Sequence, residues 1–220
     1  MPERVYSPQL SETLSKTLFT GDILLTSSTL AQAVWPRSST APLAAWGRDA
    51  LLVTAFSLLN ALCAQIFFLL PGTPIPVTGQ TFGVLLTGAL LGPRLGALSL
   101  MLYLIEGAAG LPFFFGGTFG MIHILGPTGG YLLSYPLAAG LVGWLAVRGW
   151  DRKPLTMLAA MLLGSAVIYT FGASQLAHFV GASKAVTSGV LPFLPGDALK
   201  AVLAAGLLPA GWKLLGQKRG

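Results

Sequence analysis

Asp197 and Lys200 stand three residues apart in an otherwise apolar stretch near the carboxyl end, a spacing that puts both on one helix face within reach of each other. An acceptor and a cation held together there can bind a polar ligand that carries both hydrogen-bond donors and negative charge. The alternatives are that the two neutralise each other or reach the nearby interface. Glu106 is a second isolated carboxylate, with no Lys or Arg close in sequence, and reads equally as a pocket group, a titrating group or a solvated helix end. Ser174 and His178, four residues apart, have the spacing of a nucleophile and base in an intramembrane enzyme. The serine follows Gly172-Ala173 and precedes Gln175 instead of Gly, without an orienting acid or oxyanion donors, so interhelical hydrogen bonding is the better account. His123 and His178 lack further ligands at metal spacing, and no Gly-x-x-x-x-Gly-Lys-Ser/Thr phosphate loop occurs. No metal centre, no cofactor and no ATP hydrolysis by that route are expected.

The elements that carry these groups belong to a membrane protein. Of 220 residues, 54% are hydrophobic and 9% charged, against nearly ~25% charged in soluble domains. Residues 50–93 and 107–147 contain no Asp, Glu, Lys or Arg. The net charge of +6 arises in the apolar part of the chain and is a topology signal. Lys and Arg do not cluster with aromatics on a solvated face, so no nucleic-acid partner is expected. Cys63, the single cysteine, excludes an intrachain disulfide.

Residues 1–48, rich in Ser and Thr with balanced charge, read as an N-terminal extension, disordered or surface-lying, and residues 49–220 as the membrane domain. Six spans are expected at 50–70, 80–92, 95–109, 127–147, 155–180 and from 192 or 195 to before Lys213. Between them, 71–79 is Pro-rich and extended, 110–126 is a Gly-rich apolar loop folded over something, and 181–194 is a linker. Gly88, Gly92 and Gly96 recur at a spacing that favours close helix approach. The fold class is therefore an all-α membrane protein with six transmembrane helices. Arg48, Arg94, Arg148, Arg152, Lys153, Lys213, Lys218 and Arg219 fall on one side and Lys184 alone on the other, which makes both termini cytoplasmic.

Five strings carry a resemblance: Pro76-Val77-Thr78-Gly79-Gln80-Thr81, Leu90-Leu91-Gly92-Pro93-Arg94-Leu95-Gly96, Gly110-Leu111-Pro112-Phe113-Phe114, Gly126-Pro127-Thr128-Gly129-Gly130-Tyr131, and Asp197-x-x-Lys200. In this order, over about residues 50 to 215, the chain resembles the BioY family, biotin-binding S components of energy-coupling-factor (ECF) vitamin transporters. The resemblance implies a non-enzymatic membrane protein that takes up biotin and holds it near the outer face beneath the loops. Asp197 and Lys200 would meet the ureido ring or the carboxylate, Phe113 to Phe115 and Tyr131 would be apolar walls, and backbone donors would come from Gly116 and Gly117. Thr78 and Gln80 belong to the same implied site. Some members carry an Asn in the third outer loop and an Arg near the start of the fourth helix, and this sequence has neither. The resemblance also implies a transmembrane coupling subunit and an ATPase pair as partners in the cell membrane. On that alignment Ser57 and Ala61, four apart on the first helix, are the small residues that would meet the coupling subunit, unless they pack within the bundle.

Overall fold

The computed structural model describes residues 29–38 and 41–217. A short helix, α1 (Leu30–Val34), opens with a capping box between Thr29 and Gln32. Pro42 sits in the first turn of α2 (Pro42–Gln65), where its missing N–H costs nothing. The chain then forms a small antiparallel hairpin, β1 (Phe67–Phe68) and β2 (Val77–Thr78), with Phe67 opposite Thr78 and Phe68 opposite Val77. Helices α3 (Gln80–Leu91) and α4 (Pro93–Ala108) are separated at Gly92. A 3₁₀ turn (Phe115–Gly117) and α5 (Met121–Leu125) lead to α6 (Gly129–Ala146). After a second 3₁₀ turn (Trp150–Arg152) come α7 (Pro154–Val180), α8 (Ala182–Gly189) and α9 (Leu194–Gln217).

Helix α6 is the hub, packed against α3, α4 and α7, while α2 lies on α4 and α3, and α9 on α7. Two glycines set the distances at the hub. A Cβ at Gly88 would lie 2.3 Å from the Ala139 carbonyl oxygen, and one at Gly143 2.4 Å from the Gly92 carbonyl carbon, so only glycine lets these backbones meet. Of the expected Gly88, Gly92 and Gly96 row, Gly92 (φ 83°) breaks the helix while Gly96 lies against Gly88. Tyr103, Phe114, Leu100, Met157, Met161 and Ile168 are among the fully buried side chains at the centre. Leu58, Leu62, Leu98, Ile105, Leu137, Leu162, Phe171 and Leu203 point outward and are exposed, a surface suited to hydrocarbon.

Among the described residues, three helical segments are long and apolar enough to cross a membrane: Pro42–Gln65, Pro154–Val180 and Ala182–Gly216. The shorter α3 is also apolar.

The structure corrects several boundaries. The first long helix runs from Pro42 to Gln65 and not over 50–70, because Pro42 initiates it and Phe67-Phe68 is drawn into the hairpin. The Gly-rich 110–126 segment contains a 3₁₀ turn and α5, and the expected linker contains α8. Within the expected extension, Leu30 is buried in the core, and Arg48 donates to the carbonyls of Trp35 and Ala31. The expectation for residues 1–28, like the placing of Lys218 and Arg219, lies outside the described residues.

Candidate functional site

Asp197 sits in the first turn of α9, where the partial positive charge of a helix start favours a carboxylate. Its side chain is 9% exposed. Oδ1 accepts from the Thr81 hydroxyl (2.9 Å) and from Lys200 Nζ (2.8 Å), and Oδ2 accepts from the Tyr169 hydroxyl (2.6 Å). Lys200, one turn on, also donates to the Thr78 carbonyl (2.9 Å) and to Thr81 Oγ1 (2.7 Å). All three ammonium protons are thus engaged, and Lys200 ties α9 to the hairpin and to the start of α3. Of the roughly four acceptor sites of the carboxylate, one, on Oδ2, is left for a ligand N–H.

This network floors a cleft of about 580 Å³, part of it open to solvent, within which about 50 Å³ is available to the centres of water molecules. Phe114, Phe115, Tyr131, Tyr135, Ile168 and Phe193 form its apolar walls. Tyr135 lines the cleft near Asp197, and its hydroxyl has no hydrogen-bond partner among the described residues.

Two loops cover the mouth. Phe67 of the hairpin meets Phe115 edge to face at 5.9 Å, and Gln65 Nε2 donates to the Phe114 carbonyl (3.3 Å). His123 stands edge-on to Phe114 and Phe115 at 5.6 and 5.8 Å. Burial among these rings pushes its imidazole below the ordinary 6.5. The Thr128 hydroxyl fixes that turn by donating to the His123 carbonyl (2.9 Å).

Asp197, Lys200, Thr78, Gln80, Phe115 and Tyr131 are brought together as lining residues. Within that set some side chains are committed to structure. Gln80 Nε2 donates to Tyr103 (2.6 Å) and its oxygen accepts from Thr78 (3.1 Å), so its amide holds the hairpin to α4. Tyr131 donates to the Gly189 carbonyl (2.7 Å), and its ring lies where a Cβ at Gly172 would be, 2.3 Å away. Gly116 and Gly117 adopt left-handed φ of 62° and 76° beside the cleft. The Gly117 N–H already donates to Phe114 (3.2 Å), which removes it as a free donor. Phe113 is packed against the core and is not a wall of the cleft.

For Ser57 and Ala61 the alternatives were a surface for the coupling subunit and packing within the bundle. Both are buried, and Ser57 donates to Glu106, so this face of α2 is turned toward α4. The enzyme constellation is not assembled. Ser174 donates to the Thr170 carbonyl (2.6 Å), His178 Nδ1 faces the Ser174 carbonyl and not its hydroxyl (3.1 Å), and Glu106 is engaged by Ser57. Among the described residues no group of His, Cys, Asp or Glu is arranged to hold a metal ion. Thr81, Tyr135 and Tyr169 are the site residues that sequence reasoning missed, and His123 was weighed only as a metal ligand. Of the three, only Thr81 lay in a motif that had drawn notice.

A model of the BioY family matches residues 35–217, beginning inside the segment read as an extension. A probable biotin transporter from Pyrococcus horikoshii is 43% identical over 157 residues, 71% of this chain and 91% of the relative. A biotin transporter from Thermotoga maritima is 36% identical, over 62% of this chain and 80% of the relative. Among solved structures, the S component for biotin from an ECF-type ABC transporter superposes with a TM-score of 0.69 at 24% identity, over 76% of this chain and 92% of that one. That likeness shows a shared fold.

Proposed function

Because this chain belongs to the BioY family, we propose that it takes up biotin, capturing it in the cleft above Asp197 as the substrate-binding subunit of an ECF-type transporter. The observation that carries this reading is the single open acceptor of Asp197 at the floor of an aromatic cleft. Biotin matches it in parts: a ureido N–H for Oδ2, a ureido oxygen for the Tyr135 hydroxyl, and an apolar bicycle for Phe114, Phe115, Tyr131 and Ile168. Lys200 orients Asp197 and fixes the Thr78 strand, while the Gly116 turn lets Phe115 lie over the ligand.

In the membrane, α2, α3, α4, α6, α7 and α9 are the six crossings, with both termini in the cytoplasm and residues 49–220 as the transport domain. The grouping of Arg48, Arg94, Arg148, Arg152, Lys153 and Lys213 against the lone Lys184 supports that orientation. At ~1.5 Å per residue the 12-residue α3 reaches only ~18 Å, so the hairpin before it completes the crossing, shielded by its neighbours. A transmembrane coupling subunit and an ATPase pair supply the energy, since the sequence has no phosphate loop of its own.

Equilibrium binding of radiolabelled biotin to the purified protein in detergent tests the reading. Saturable binding of one biotin per chain is expected, and its absence would overturn the proposal. The enzyme alternative is not favoured, since Ser174 and His178 do not pair through the hydroxyl.

A further inference from the structure

A second, larger cavity lies away from the Asp197 cleft, between the segment around α1, the start of α2 and the outer face of α4, with about 710 Å³ available to the centres of water molecules. Its walls change character along their length. At one end are Arg37, Arg48, Asp49 and Arg94; beyond them the lining is almost wholly apolar. Asp49 is already shared, accepting from Arg48 (2.8 Å) and from Arg37 (2.9 Å), and Arg48 is buried with its remaining donors on the carbonyls of Trp35 and Ala31. Arg94 is exposed and has no ion pair or hydrogen bond among the described residues. Three arginines and one aspartate leave this end with two positive charges in excess.

From Arg94 the groove follows α4 along Leu98, Met101 and Ile105, which are 48%, 49% and 62% exposed and recur at helical spacing on one face. From Arg94 to Ile105, eleven steps of ~1.5 Å make the groove about 16 Å long. Half of a hydrocarbon core of ~30 Å is ~15 Å. A groove of about one leaflet's depth, charged at one end and apolar along the rest, matches one kind of molecule in both chemistry and length.

We propose that this groove binds an anionic phospholipid from the leaflet on the Arg94 side. The headgroup phosphate sits between Arg94 and the Arg37–Asp49 pair, and an acyl chain lies along Leu98, Met101 and Ile105 against Val53 of α2. Anionic lipid is favoured over zwitterionic lipid because, among the described residues, the excess positive charge has no counterion there. The inference rests on the membrane setting alone and is independent of whether biotin is the substrate.

Native mass spectrometry of the purified protein, incubated with equal amounts of phosphatidylglycerol and phosphatidylcholine of matched chains, tests it. A basic residue near a membrane surface is worth about five-fold in affinity for anionic lipid. The wild type should therefore retain phosphatidylglycerol at least about five-fold over phosphatidylcholine, and Arg94→Gln should lose most of that preference. Met101→Trp, which obstructs the track, should lower retention of both lipids. Arg148→Gln, which removes an exposed arginine stacked on Trp144 and outside the groove, should change neither. Biotin binding by each variant, measured in parallel, reports on fold and keeps a failure here distinct from a failure of the transport reading. Equal retention of the two lipids by the wild type overturns the proposal. So does an equal loss of preference in Arg148→Gln, which would mean general surface charge, or a dimer that Arg94→Gln abolishes, which would mean that a second copy of the chain occupies the groove.

Discussion

Changing Asp197 to Asn keeps the shape of the floor and removes its charge. In the native network Thr81 and Lys200 both donate to Oδ1, so an amide nitrogen at that position would face two donors. At the Oδ2 position the Tyr169 hydroxyl can turn and accept from it. The amide therefore settles with its nitrogen where Oδ2 was, and a ligand N–H that used the open acceptor meets a donor instead. A hydrogen bond to a charged group is worth about 1.5–3 kcal/mol, or roughly 10- to 150-fold in Kd. Tyr169→Phe, in contrast, removes a bond to the same oxygen while leaving the acceptor for the ligand, so its effect should stay within about ten-fold. Tritiated biotin binding to purified protein in detergent reads both, with thermal melts to show that each variant folds. Native affinity in Asp197→Asn, or a larger loss in Tyr169→Phe than in Asp197→Asn, would refute the assignment of Oδ2 as the ligand acceptor.

Because burial holds the His123 imidazole below its ordinary 6.5, the neutral ring contributes stability to the covering loop that is complete above pH 6.5 and is lost as pH falls through the lowered value. Biotin affinity should accordingly weaken on acidification below that point, and His123→Gln should flatten the profile; an unaltered slope in that variant would assign the titration elsewhere. Gly172→Ala drives a methyl group into the Tyr131 ring, an overpacking cost of about 1–3 kcal/mol, so the melting temperature and biotin affinity should both drop, and native values for both would show that the ring can yield. For sidedness, Cys63 is first replaced by Ala and single cysteines are introduced at Phe119 and Lys153, both exposed. An impermeant thiol reagent on intact cells should label the Phe119 position, and the Lys153 position only after permeabilisation; the reverse pattern would invert the topology.

The pairing of Asp197 with Lys200 was legible because three residues on a helix are neighbours whatever the tertiary fold. Their partners were not. Thr81 and Tyr169 reach Asp197 across 116 and 28 residues of sequence, and nothing in an apolar run such as Ile168-Tyr169-Thr170 says which helix its tyrosine will face. The two readings of Ser57 and Ala61 stayed open for the same reason. In a helix apolar on all sides, periodicity no longer distinguishes the face turned to lipid from the face turned to protein, and small residues suit both. The short helices at 121–125 and 182–189 escaped notice because they lie among glycines that argue against helix, whereas the long apolar spans declared themselves by length.

The backbone contacts of Gly88 with Ala139 and of Gly143 with Gly92 have a mechanical consequence. Where helices touch main chain to main chain, no long side chain is available to change rotamer and absorb a displacement, so α3, α4 and α6 behave as one stiff frame. The cleft has its floor and walls partly on that frame; its two covering loops meet through the Phe67–Phe115 edge contact and the Gln65 hydrogen bond to Phe114, and the second is tied to α4 by the Gly120 N–H bond to the Gly107 carbonyl (2.8 Å). An opening between α3, α4 and α6 would require these glycine seams to part. On the proposed transport function, delivery across the bilayer then falls to moving α3, α4 and α6 as one body.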